Sequence, residues 1–174
     1  MRDWAEKWLP DEVDGGIKGR DADQLHEAMS SQIGEANEKS ETICGAKIDI
    51  RKCFDTICPY QAIEIWNVWG APRGVVRVLR EFYKQHRRYV ENQGAVATEE
   101  IVPKRSLLQG CPASPLLLAG IMAVWAKEMR YHLPELKFGI YLDDRTIWNK
   151  DEESGRMIER ALSIGRQIDA RFGM

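Results

Sequence analysis

Three carboxylates frame the chemistry open to this chain. Asp143 and Asp144 stand side by side after the alternating run Phe138-Gly139-Ile140-Tyr141-Leu142. Asp49 stands in a second alternating run, Ala46-Lys47-Ile48-Asp49-Ile50-Arg51. Carboxylate oxygens gathered at one point are ligands for a hard divalent cation, and Mg²⁺ typically takes few of them, completing its shell with water and phosphate. Two such ions, about 3.5–4 Å apart, clamp the attacking and leaving oxygens of a phosphoryl transfer. An isolated Asp-Asp pair reads equally well as a solvated turn. The second acidic run is what points towards chemistry.

The elements that would position these acids are strands. In the first run Phe138, Ile140 and Leu142 fall on one face, and Gly139, Tyr141 and Asp143 on the other. Thr146-Ile147-Trp148 follows at once, which puts the aspartates at a hairpin tip. In the other strand, spanning about residues 43–50, Ala46, Ile48 and Ile50 oppose Lys47, Asp49 and Arg51. If the two strands are antiparallel neighbours, Asp49 and Asp143 converge. Lys47 and Arg51, on the same face as Asp49, would then either meet phosphate or neutralise the acids.

With Phe54-Asp55 added to the Asp49 strand, the chain resembles the palm of reverse transcriptases, most closely those of non-LTR (LINE-type) retrotransposons. Ile48-Asp49 through Phe54-Asp55 looks like motif A, Gln109-Gly110-Cys111-Pro112-Ala113-Ser114-Pro115 like motif B, and Tyr141-Leu142-Asp143-Asp144 like motif C. A weaker block, Gly15-Gly16-Ile17-Lys18-Gly19-Arg20-Asp21-Ala22-Asp23, resembles the glycine-arginine stretch that precedes motif A in these enzymes. The order of the blocks matches the family over nearly the whole chain.

The resemblance implies an α+β palm, a small antiparallel sheet covered by helices on one face. Residues 1–42 would be the end of a fingers-like segment and 43–174 the palm. Asp49 and Asp143 would bridge Mg²⁺ (or Mn²⁺), with Asp144 a further acid at the metals. Phe54 would sit under the sugar of the incoming nucleotide and exclude a 2′-hydroxyl; read without the motif, it is a core aromatic. Gln109 and Gly110 would line the nucleotide and template side of the pocket, and Tyr141 would pack near the primer end. Asp55 would be structural. The partners implied are an RNA template, a DNA primer and a dNTP. Ser106 stands where the family usually has glycine, Leu108 where it often has a basic residue, and Ala113 where it has leucine. The family's basic fingers segment would lie upstream of Met1, and its lysine-bearing segment and thumb beyond Met174. A chain without them is expected to fold and not to polymerise.

Composition sets the outer bounds. At 174 residues and 44% hydrophobic content the chain is one domain with a real core. A net charge of −2 gives no global nucleic-acid signature, so such contacts must be local. Cys44, Cys53, Cys58 and Cys111 lack paired metal-ligand spacing and read as reduced thiols of an intracellular protein, with nucleus and cytoplasm not distinguished. No apolar run reaches about 18 residues, so no membrane span is expected.

Helices fill the remainder. One starts near Asp21 or Asp23, with Leu25, Ala28, Met29, Ile33 and Ala36 on its apolar face. Pro59 opens a second, which Gly70 ends, and Pro72 a third reaching about Gln85, with Val75, Val76, Leu79 and Phe82 inward. Arg73, Arg77, Arg80 and Lys84 line one face of that helix: a solvated stripe, or a row of phosphate contacts. A hairpin turns at Gln93-Gly94. Ser114-Pro115 reads as cap and first residue of a buried helix to about Tyr131, and a final helix spans about residues 153–172 with Ile158, Ala161, Leu162, Gly165, Ile168 and Phe172 inward.

Three functions remain open. The first is an RNA-directed DNA polymerase palm using two metals. The second is a catalytically silent remnant that binds nucleic acid or a partner. The third, an RNA-dependent RNA polymerase palm, is disfavoured by Leu142 and Phe54, where such enzymes usually carry glycine and smaller residues.

Overall fold

The computed structural model describes residues 2–15, 19, 22–150 and 153–174. Gly16-Ile17-Lys18, Arg20 and Asp21 of the glycine-rich block lie outside the described residues, and with them one of the two expected caps; the other, Asp23, lies inside the first turn of the helix and does not cap it. The elements run α1 (Arg2–Ala5), β1 (Val13–Asp14), α2 (Ala22–Lys39), β2 (Cys44–Ile48), α3 (Cys53–Thr56), α4 (Pro59–Val68), α5 (Arg73–Gln85), β3 (Glu91–Asn92), β4 (Ala95–Val96), α6 (Ser114–His132), β5 (Lys137–Tyr141), β6 (Asp144–Asn149) and α7 (Ser154–Phe172). The architecture is α+β, built on a four-stranded sheet in the order β1-β5-β6-β2.

β5 pairs antiparallel with β6, and β6 with β2, so the Asp49 strand lies beside β6 and not beside the run that leads into Asp143, as a direct pairing of the two acidic strands would require. In addition β1, in a stretch with no strand pattern of its own, joins the edge parallel to β5 and pairs Val13 with Ile140. One face of the sheet carries Phe138, Ile140, Arg145 and Ile147 and packs on α6 and α7. The Trp125 and Phe138 rings meet edge to face at 5.6 Å. Helix α6 is the centre of the core. Leu117, Leu118, Ile121, Met122, Trp125 and Met129 are all fully buried, each such aliphatic side chain contributing about 1.5–3 kcal/mol. The other face of the sheet is not bare. Helix α2 crosses it with Leu25 seated over Gly139, where a Cβ would collide with that side chain. Only Ala36 of α2 is fully buried, and Ile33 remains exposed.

One helix face and one further helix start differ from expectation. On α5 the inward stripe is Val76, Leu79 and Tyr83, whereas Phe82 lies outside, stacked on His86. Tyr83 can be buried because its hydroxyl finds polar partners, accepting from Leu108 N (3.4 Å) and lying 3.5 Å from Ser114 Oγ. Ser114 is the first residue of α6 and does not cap it; its hydroxyl donates to Leu108 O at 2.7 Å instead. The β3–β4 hairpin turns at Gln93-Gly94 as expected, with φ of 51° and 82°, and both strands are exposed.

Candidate active site

The acids are positioned by register. β2 and β6 pair Lys47 with Thr146 and Ile48 with Arg145, so Asp49 is the first residue beyond the paired end of β2. β5 and β6 pair Tyr141 with Asp144, leaving Leu142-Asp143 as a two-residue turn at the same end of the sheet. Leu142 takes φ 56°, a left-handed conformation disfavoured for a side chain of this size. Asp49 is exposed, while Tyr141, Asp143 and Asp144 are half-buried. Lys47 lies 3.9 Å from Asp144; both groups are about half exposed, and the pair is worth no more than about 1 kcal/mol.

Beyond Asp49 the extended run breaks at Lys52 (φ 54°), and α3 begins. Asp55 therefore does not share a strand face with Asp49, as continuing extension would require. It turns towards Ser106, whose hydroxyl donates to Asp55 Oδ1 at 3.0 Å and accepts from Arg88 Nη2 at 2.8 Å. Ser106 has φ 108°, which explains why glycine suits this position; here a serine holds the same backbone and adds a polar link. Two main-chain bonds, Ser106 N to Ile57 O (2.8 Å) and Leu107 N to Phe54 O (2.7 Å), zip the motif B approach onto α3. As a result Phe54, Gln109, Gly110, Cys111, Pro112, Ser114 and Pro115 line one open cleft of about 530 Å³. Gly110 is required there by its φ of 85°, since no neighbour crowds it. Tyr141 is not among the residues lining this cleft.

Cys53, the first residue of α3, carries a buried thiol. Burial pushes its pKa up from 9.0 to about 12; Asp143 adds to the rise, Arg145 opposes it, and Asp169 and Asp49 contribute further. Asp49, Asp143, Arg145 and Asp169 thus all act on one neighbourhood. Arg145 and Asp169 do not stand out in the sequence as site residues, yet they form a two-pronged ion pair at 2.8 Å and 2.8 Å, with Arg145 only 1% exposed. One signal exists: Arg145 alternates with Ile147 and so falls on the apolar face of β6.

Asp49 and Asp143 offer hard oxygen donors at the open end of the sheet, the donor type Mg²⁺ takes. Among the described residues no three acidic, histidine or cysteine side chains close into a cage. Asp49, Asp143 and Asp144 are therefore not gathered into one three-carboxylate group.

Comparison with known proteins agrees with this architecture. Residues 13–173 match the family model described as reverse transcriptase (RNA-dependent DNA polymerase). The chain is 31% identical over 77 residues to the retrovirus-related Pol polyprotein from type-2 retrotransposable element R2DM of Drosophila melanogaster, covering 44% of this chain and 7% of that protein. That likeness agrees with the non-LTR resemblance of the motif blocks. Among solved structures, telomerase from Candida albicans in complex with a fragment of telomeric RNA superposes with a TM-score of 0.69 at 12% identity, over 99% of this chain and 31% of that one. Apo telomerase from Candida tropicalis superposes with a TM-score of 0.67 at 11% identity, over 93% and 34%. The chain thus spans about a third of those structures and a small part of the polyprotein.

Proposed function

Since this chain belongs to the reverse transcriptase (RNA-dependent DNA polymerase) family, we propose that it forms the nucleotidyl-transfer centre of an RNA-directed DNA polymerase of retroelement type. In that reaction the primer 3′-oxygen bonds to the α-phosphorus of a dNTP, the bond to the bridging oxygen breaks, and pyrophosphate leaves. Asp49 and Asp143 would hold Mg²⁺ or Mn²⁺, with Asp144 beside them. Bound metal would supply electrostatic stabilisation of the phosphoryl oxygens and a more acidic 3′-hydroxyl. The half-buried ring of Phe54 would close the cleft against a ribose 2′-hydroxyl. Gln109 and Gly110 would line the base and backbone side, and Tyr141 would face the primer end. RNA template and DNA primer are the partners this reading requires. Among the described residues no helix is long and apolar enough to cross a membrane.

What carries the reading is the juxtaposition of two features from distant parts of the chain. Pairing of Ile48 with Arg145 sets Asp49 beside the hairpin that bears Asp143, and the same chain reversal sends Phe54 into a cleft with Gln109 and Gly110. The test is primer extension on an RNA template with dNTPs, run with the chain joined to the fingers and thumb of a relative. Extension abolished by Asp143→Ala is the expected result. No extension, with the fold intact, would favour a silent nucleic-acid-binding remnant.

A further inference from the structure

We infer that Asp169 is a positioning residue for the acidic hairpin: it holds the Arg145 guanidinium on the α6–α7 side of the sheet, away from Asp49 and Asp143. The inference rests on the reading of those two acids as cation ligands. Arg145 follows Asp144 directly on β6 and points into the core. Its Nη1 and Nη2 donate to Asp169 Oδ1 and Oδ2, both at 2.8 Å, and its guanidinium stacks over the Trp125 ring at 4.8 Å. Nε is buried with no hydrogen-bond partner. Asp169 lies near the C-terminal end of α7 and is 15% exposed.

A buried cation beside a cation-binding site is a hazard. A guanidinium within about 4–6 Å of a carboxylate favours its charged form and competes with any metal for it. Arg145 pairs with Ile48, the residue before Asp49, and stands two residues after Asp143, so its backbone lies between the two acids at one end of the sheet. The bidentate bond to Asp169 satisfies Arg145 from the opposite side. The acids at the open end of the sheet then keep their charge for ions from solvent. If Asp169 loses its charge, the guanidinium, already carrying one unmatched donor, turns to the nearest carboxylates.

The experiment measures Mn²⁺ binding to the chain by the loss of the free-ion electron paramagnetic resonance signal, in folded native protein, Asp169→Asn, Asp169→Glu and the double variant Arg145→Met with Asp169→Leu. Asp169→Asn should weaken Mn²⁺ binding about tenfold, the competition of one close cation. Asp169→Glu should restore most of it. The double variant, which removes the cation and its anchor together, should bind within about twofold of native. Native affinity in Asp169→Asn, or a double variant as weak as the single, overturns the inference. Should Asp169→Asn fail to fold, Asp169→Ser, which also removes the anchoring charge, takes its place with the same two outcomes. A native chain showing no Mn²⁺ binding that Asp49→Asn removes defeats the metal-site reading instead. The crystal structure of metal-free Asp169→Asn then decides: a guanidinium bonded to Asp143 or Asp49 supports the inference, and one still stacked on Trp125 ends it.

Discussion

Gly15 lies against Leu142, so closely that a Cβ on Gly15 would come within 2.8 Å of Leu142 Cγ and 3.0 Å of Leu142 N. Both residues carry positive φ, 89° and 56°. Leu142 N donates to Asp14 O at 3.2 Å, so β1 and the glycine after it support the turn that bears Asp143. Gly15→Ala should therefore destabilise the fold by about 1–3 kcal/mol, through strain at a positive φ and overpacking against the turn. Pairing it with Leu142→Ala should recover only part, because the main-chain crowding and the φ remain. Urea midpoints decide the matter; an unchanged midpoint for Gly15→Ala removes the support role.

Ser106 offers a paired test of backbone against side chain. Ser106→Ala keeps the unfavourable φ of 108° and deprives Asp55 and Arg88 of their shared partner, a loss of about 1–3 kcal/mol. Ser106→Gly loses the same hydroxyl but relaxes the backbone, and should be the milder change by roughly 1 kcal/mol. Equal losses would show that strain at this residue is negligible.

Much of the site is legible in the sequence because alternation and chain reversal are short-range properties. The Asp143 hairpin, the Asp49 strand and the buried α6 follow from period-two and all-round apolar patterns. The true direction of Asp55 does not, because nothing local announces that Lys52 turns left-handed and ends the strand. Hydrophobicity alone ranks Phe82 above Tyr83 for the inner face of α5, since the hydroxyl partners of Tyr83 come from the distant motif B loop. β1 leaves no trace: two residues cannot show a period, and their pairing is set by β5. The Arg145–Asp169 pair joins residues 24 apart on different elements. A charge on an apolar strand face signals a buried partner without saying which one.

Cys53 should be the least reactive of the four thiols. It is 2% exposed, and its pKa is raised to about 12, whereas Cys44, Cys58 and Cys111 are partly exposed. At about pH 8 iodoacetamide should label those three and spare Cys53, since only the thiolate attacks. The sign of the linkage follows from a folded pKa above the unfolded one. The stability Cys53 gives is complete below pH 9.0 and is lost as pH rises towards about 12. Cys53→Ala should flatten that alkaline fall in urea midpoints. Labelling of Cys53 as fast as Cys58 would contradict its burial.

Phe54 bears on sugar choice. Its ring shares the cleft with Gln109 and Gly110. In the chain joined to fingers and thumb, Phe54→Val should raise incorporation of ribonucleotides relative to deoxynucleotides by about tenfold or more, the cost of leaving one substrate group unopposed. A stability loss with unchanged discrimination would make Phe54 a core aromatic only.

The basic stripe of α5 should contribute little to nucleic-acid binding. Arg80 is already paired with Glu64, and Lys84 lies 3.9 Å from Glu81. Arg73 and Arg77 border an open cleft of about 450 Å³ together with Arg80 and Glu81, so an acid already sits among them. Such exposed charges interact weakly, through screening solvent. Arg80 is a poor site for a test, because reversing it would also strand Glu64. Arg73→Glu with Arg77→Glu is the clean variant. Its affinity for an RNA–DNA duplex should stay within about threefold of native at fixed salt, with the same dependence of log K on log salt. If both arginines instead neutralise phosphates, the slope should fall in magnitude by about 1.8, roughly 0.9 for each phosphate left without its arginine. Binding measured at three or four salt concentrations separates the two outcomes, and a slope change of that size would reassign the stripe to the nucleic-acid interface.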